Sequence, residues 1–537
     1  MPIRAQLLGK VVAKLNGLNV SQPKMESLLP QLLAFPPQPP PPTPLSDAEY
    51  DKQIKALNAL LNTTSPSKLL AGVSGSENLL DILDPRNNTV PYLYTLLAAI
   101  TVPGDKQKGA SISRSFKPDS PLWLKVNAFM MQFDTIQIRY VGLQFRTLID
   151  AIALQARILG KPEAAVQPIQ RAILRIDDNG DTFTPIHLTF ISLCLETRSF
   201  SPARLVLNQD IVNFPPFNVK NGRSSPYLCA MEHTAQALMT PESLFYTGLV
   251  YQDHLLYFLY GAMIYMSCQD WERALVYLEI VIITPITRDA SMIQVAAYKK
   301  WILVNLIWKG RVGLPDNGNN GSMPKTTPSQ AVKQYRSLSP SYVYLAEVFE
   351  NGLKEADASR ELVEIAGINS QCFRMDHNYG LVRQVIDAHR YFGTLQLGKV
   401  YYGMDIANIN RRTSPFPDDY AETGRYVSHL IASRKLNALI LRHSENPAEW
   451  NVRFFECLVG PLASSEEDQF NELKARNVTA MKWRDHVLKF DRKLGLHKDY
   501  IGDAKKKKKE KVEAKEGDEP LLGRDGFDHD EDMMADL

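Results

Sequence analysis

The 537-residue chain is 45% apolar and 22% charged with a formal charge of +2. That is the balance of an ordinary soluble protein with length for three or four domains, and it exerts no global pull on nucleic acid or acidic membranes. Five scattered cysteines without a C-x-x-C pair, a start too weakly apolar for a secretory signal and no apolar run able to span a bilayer point to cytoplasm and nucleus, with no membrane contact.

Residues 1–34 carry one or two short amphipathic helices and open a divergent N-terminal helical region, 1–128. The proline-rich stretch 35–44 reads as a stiff spacer in preference to a polyproline ligand. Helix resumes at 47–61, with apolar clusters at 79–83 and 92–100. Residues 101–121 are rich in Gly, Ser, Lys and Pro and read as a loop. Within it, Gly104-Asp105-Lys106-Gln107-Lys108-Gly109-Ala110-Ser111 has the glycine spacing of a phosphate-binding loop. Ala110 stands where the phosphate-reaching lysine belongs, so that chemistry is rejected.

From 129 to 392 the pattern is a TPR-like helical-repeat solenoid. Helix 145–159 turns at Gly160-Lys161 into one carrying Ala165, helix 186–197 turns at Arg198-Ser199 into one carrying Ala203, and a third turns at Gln269-Asp270 into one carrying Ala274. The shared register favours a solenoid over a generic bundle. In the third pair, Leu255, Leu259, Met263 and Met266 line one face, and Trp271, Ala274, Leu278 and Val281 line the other, until Pro285 ends the unit. A further helix, 289–309, points Met292, Val295, Ile302 and Leu306 inward. Residues 310–329 have no periodicity and read as a surface insertion, followed by helices 341–352, 358–365 and 381–391.

Between 393 and 457 the pattern becomes that of a small α+β winged helix. A strand is expected near Val400-Tyr401-Tyr402, a short helix at 404–410, a helix at 422–432, an apolar strand at 436–441 and a last strand with Trp450, Val452 and Phe454 alternating with Asn451 and Arg453. Helix 422–432 offers only Arg425 and His429 to a groove, and the hairpin adds Arg442 and Arg453 among Glu445, Glu449 and Glu456. That mixed charge makes a protein-contact module the better reading than a nucleic-acid reader. Residues 465–494 form one long helix with a thin apolar stripe of Phe470, Leu473, Met481 and Leu488, suited to a bundle of partner helices or to packing back on its own wing. The tail 503–537 is disordered by composition. Its lysine block, Lys505 to Lys509, is either an import signal or the basic half of a self-neutralising tail.

No H-x-H, H-E-x-x-H, G-x-S-x-G or G-x-G-x-x-G occurs. Met375-Asp376-His377-Asn378 and Asp528-His529-Asp530 join carboxylate to imidazole in places without a rigid shell. No catalytic, cofactor-binding or metal-ligating residue is expected, and no cofactor.

Helical repeats leading into a winged helix and a long terminal helix resemble the PCI-domain family, the scaffolds of the proteasome lid, the COP-9 signalosome and a translation initiation factor. LLYFLYGAMIYMSCQDWERALVYLEIVIITP (255–285), AAYKKWILVNLIWKG (296–310), NYGLVRQVIDAHRYFGTLQLGKVYYGMDIANI (378–409) and ETGRYVSHLIASRKLNALI (422–440) are similar, in that order, to the third-subunit branch of the signalosome. Where relatives usually have glycine at the turn into the wing, this chain has Ser433-Arg434. The resemblance implies a non-catalytic scaffold of a complex that removes a ubiquitin-like modifier from cullin-RING ligases, with the metalloprotease centre in another subunit. It implies other signalosome subunits as partners, met through edge strands (Val400, Tyr401 and Tyr402; Leu436, Ala438 and Leu439) and through Phe470, Leu473, Met481 and Leu488. A proteasome-lid subunit and a winged-helix nucleic-acid-binding regulator are the alternatives.

Overall fold

The computed structural model describes residues 25–496, apart from 38–44, 71–77, 103–110, 113–115, 178–179, 212, 215–226, 232–233, 286–288, 313–328, 353–357, 417–418, 457–458 and 464. The expectations for residues 1–24, for the proline run 39–44, for the phosphate-loop look-alike, for most of the 310–329 insertion and for the tail fall outside these residues. Two compact units emerge, Met1–Gln396 with Ile409–Asp418 and Leu397–Asn408 with Asp419–Leu537.

The first unit is a succession of antiparallel helix pairs. Gly142–Ile158 is followed by Glu163–Ile176, Pro185–Thr197 by Phe200–Leu207, and Tyr251–Ser267 by Trp271–Ile283. Each pair turns through one residue in the left-handed region: Gly160 (φ 66°), Arg198 (φ 56°) and Gln269 (φ 59°). Five residues beyond each stand Ala165, Ala203 and Ala274, all fully buried. A chain that reverses in so few residues brings its two helices together near the turn, where a small side chain fits best. His377 (φ 55°) repeats the device between Ser370–Met375 and Tyr379–Val400, with Val382 in the alanine's place.

Neighbouring pairs lock through aromatic side chains. A Cβ on Gly261 would lie 2.8 Å from the Tyr277 ring, so glycine lets that ring lie against the helix backbone. The Tyr277 hydroxyl then donates to the Leu207 carbonyl at 2.7 Å, and the Tyr265 hydroxyl to Asn208 Oδ1 at 3.0 Å. Both bonds reach from the third pair to the end of the second. Phe183, His187, His254, Tyr257 and Phe258 fill the space beside them, His254 and Tyr257 standing edge to face on Phe183, with Phe183 and Tyr257 ring centroids 5.3 Å apart.

Three expectations change. Met292 is 74% exposed, because Gln294 occupies the inner side of that first turn. Its amide closes a capping box with Ser291 and donates to the Thr284 carbonyl at 2.9 Å. In the expected loop 101–121, Thr101–Val102 (β1) pairs with Ser111–Ile112 (β2). The helix expected at 381–391 runs to Val400, through the expected boundary at 392/393. Gly393 and Gly398 both lie inside it. In the fold Gly398 lies where a Cβ would come within 3.0 Å of the Phe454 ring, and that packing outweighs the roughly 1 kcal/mol helix penalty of a glycine.

The second unit holds a three-stranded antiparallel sheet of order β3-β5-β4, with β3 Gly403–Asp405, β4 Ala438–Leu441 and β5 Asn451–Phe454. Met404 and Ile440 both stand opposite Val452. Along β5, Val452 and Phe454 are buried while Asn451 and Arg453 are exposed, the alternation of a half-covered strand. The first strand is therefore Gly403–Asp405 and not Val400–Tyr402, and the short helix shifts from 404–410 to Ile406–Thr413. The described chain is a helical-repeat array with a small α+β module.

Candidate interaction surfaces

Because β5 lies in the middle, β3 and β4 are the two edges of the sheet, each with one row of backbone groups unpaired within it. On β4 and its approach, Leu436 and Ala438 are buried, whereas Leu439 and Leu441 are exposed. The expected contact residues thus divide: Leu436 and Ala438 anchor the strand, and Leu439 faces outward.

The turn leading into β4 is tight despite lacking glycine. Arg434 takes φ 57°, its N–H donates to the Ile431 carbonyl at 3.0 Å, and the Lys435 N–H donates to the Leu430 carbonyl at 2.9 Å. A Cβ in this conformation costs about 1 kcal/mol. Arg434→Gly is expected to stabilise the strand entry by about 0.5–1 kcal/mol, read as slower amide exchange along Ala438–Leu441. Unchanged or faster exchange would show that the arginine side chain contributes more than its backbone costs.

Val400, Tyr401 and Tyr402 are not in a strand, yet the structure brings them together. With Gly398, Lys399 and Phe454 to Glu456 they line an open pocket of about 370 Å³. The Phe454 N–H donates to the Tyr402 carbonyl at 2.9 Å, which pins the backbone and leaves Val400 71% and Tyr402 83% exposed.

Charge on the module is mixed and partly occupied. The Arg442 guanidinium lies 4.6 Å from the Trp450 ring centre and Arg453 5.5 Å from that of Phe455. The Trp450 indole N–H donates to the Ser444 carbonyl at 2.8 Å. Arg425 and His429 are exposed, as are Glu445, Glu449 and Glu456.

The terminal helix spans Glu466–Leu496. Ser465 caps it, accepting from the Asp468 N–H at 3.1 Å. Phe470 is 65% exposed, Leu473 65%, Met481 52% and Leu488 48%. All four side chains are thus exposed along the helix. Sequence reasoning missed Val478, Trp483 and Val487, also exposed. They lie off the chosen stripe: at about 100° per residue Trp483 and Val487 fall on a different face from Met481 and Leu488.

The carboxylate–imidazole segment in the helix connection is structural. Asp376 accepts from Lys299 Nζ and from the Tyr342 hydroxyl, each at 2.8 Å. Asn378 accepts from Lys300 Nζ at 2.6 Å and donates to the Tyr342 hydroxyl at 3.0 Å. Burial pushes the Lys300 ammonium down to about 8, partly opposed by Asp376. Among the described residues no group of three or more His, Cys, Asp or Glu side chains is placed to hold a metal, and no helix is long and apolar enough to cross a membrane.

Comparison with known proteins agrees with this architecture. A family profile described as "COP9 signalosome complex subunit 3, N-terminal helical repeats" matches residues 51–227 and 239–320. The COP9 signalosome complex subunit 3 of Emericella nidulans is 30% identical over 430 residues, covering 80% of this chain and 83% of that protein. Proteins of the same name from Neurospora crassa and Arabidopsis thaliana are each 24% identical, over 442 and 454 residues, covering 80% and 84% of this chain and 83% and 89% of theirs.

Proposed function

Because the chain belongs to the family of COP9 signalosome complex subunit 3, we propose that it is a non-catalytic assembly subunit of the signalosome. It acts in cytoplasm and nucleus, in a complex that removes a ubiquitin-like modifier from cullin-RING ligases. Catalysis falls to a separate metalloprotease subunit. The α+β module, 393–457, and the terminal helix, 465–494, then correspond to the winged helix and bundle helix of a PCI domain, after the solenoid of 129–392.

The observation that carries this reading is the terminal helix itself. A helix of 31 residues that leaves Phe470, Leu473, Met481 and Leu488 exposed offers an apolar face that helices of other chains can cover. The edges of the sheet supply a second kind of contact. Backbone groups at β3 and β4 add a neighbour's strand, with Leu439 and the Val400–Tyr402 corner giving it side chains to meet.

Affinity purification of the tagged chain from its own cells tests the assignment. Recovery of the other signalosome subunits, one of them bearing a metalloprotease motif, is the expected result. Recovery of proteasome-lid subunits would keep the architecture and change the complex. Recovery of nucleic acid, lost steeply as salt rises, would replace the scaffold by a DNA or RNA reader.

A further inference from the structure

The helical array carries a second surface that the signalosome assignment does not use. Met130, Met131, Thr135, Arg171, Leu174 and Arg175 line an open groove of about 520 Å³. It runs between the C-terminal end of Pro121–Gln132 and the outer face of Glu163–Ile176. Arg171 and Arg175 are one turn apart on the same helix, a like-charge spacing that destabilises a helix by a few tenths of a kcal/mol. Neither has a carboxylate within ion-pair distance among the described residues.

Both guanidiniums are nevertheless held in place. Arg175 Nε donates to the Phe133 carbonyl at 2.7 Å and Nη2 to the Gln132 carbonyl at 3.3 Å, with its plane 5.3 Å from the Phe133 ring centre. Arg171 Nη1 donates to Met131 Sδ at 3.2 Å. Carbonyls and a thioether orient a cation without neutralising it. The remaining N–H donors of two pre-positioned forks suit carboxylates, which a guanidinium binds in bidentate fashion. Beside them Met131 is exposed and Met130 forms the floor, an adaptable apolar strip for the residues flanking such carboxylates.

We propose that this groove docks an acidic peptide segment of a partner protein, with carboxylates on Arg171 and Arg175 and an apolar side chain on Met131. The match of charge decides the occupant: an apolar segment alone would leave both cations buried and unpaired, which costs more than the contact returns.

The test places a benzoylphenylalanine photocrosslinker at position 135, beside the groove, in the full chain purified in its complex, and maps the adduct by mass spectrometry. The expected adduct is a segment of net negative charge. Its yield should fall at least about tenfold with Arg171→Glu, which removes a charge-assisted hydrogen bond, and fall again as salt is raised. Arg171 is exposed and bonds only a methionine sulfur, so that variant keeps its fold. Arg171→Lys, which retains the charge, should keep a measurable part of the yield. An adduct on a neutral or basic segment, on nucleic acid, an unchanged yield with Arg171→Glu, or no adduct in the complex would each overturn the proposal.

Discussion

Replacing Phe470, Leu473, Met481 and Leu488 together by serine is expected to abolish incorporation of the protein into its complex while leaving its own melting temperature unchanged. The separation of the two effects follows from exposure. All four side chains stand in water in the isolated chain, so the folded monomer loses no packing, and surface changes of this kind stay within about 0.5 kcal/mol. In an assembled helix bundle the same side chains become buried. Each large apolar group then contributes about 1.5–3 kcal/mol, and loss of four, about 6–12 kcal/mol, is comparable to the whole free energy of an ordinary interface. Co-purification of the other subunits with the tagged variant, alongside its thermal unfolding, checks both halves. A drop in melting temperature would mean that the helix packs on its own chain, and unimpaired incorporation would remove it from the assembly.

Acid should unfold the helical array between pH 6.5 and 4, through three histidines buried without charge. His187 and His254, in the aromatic cluster with Phe183 and Tyr257, and His389, against Phe349 and Ser359, are each pushed down to about 4 by desolvation. The unfolded chain binds these protons near pH 6.5 and the folded chain only near 4. Stability is therefore complete above pH 6.5 and is lost as pH falls toward 4, by up to about 3 kcal/mol per histidine. His254 Nε2 is buried without a partner, and its ring sits among Phe183, Phe214 and Phe258. His254→Phe should preserve stability at pH 7 and remove about a third of the acid slope. Denaturant midpoints measured at intervals from pH 7 to 4.5 read this directly, and an unaltered slope would assign the acid sensitivity to other groups.

What the amino-acid sequence determined by itself was the repeat. Periodic apolar faces, a tight turn and a small residue at a set distance beyond it are all carried within about thirty residues, so Ala165, Ala203 and Ala274 were legible before any fold was known. The absence of local zinc and nucleophile motifs and the mixed charge of the C-terminal module were legible for the same reason. Only the tertiary structure decided where helices stop and which apolar face is covered. The Tyr379–Val400 helix passes two glycines because Phe454, more than fifty residues away in the chain, packs where Gly398 leaves room. Met292 turns outward because Gln294 bonds the carbonyl of Thr284 at the end of the preceding helix. Arg434 adopts a glycine's backbone because the strand beyond it must reach β5. The groove of Arg171 and Arg175 exists only once Pro121–Gln132 lies beside Glu163–Ile176. Hydrophobic periodicity states that a face will be buried. What buries it is set by residues distant in sequence.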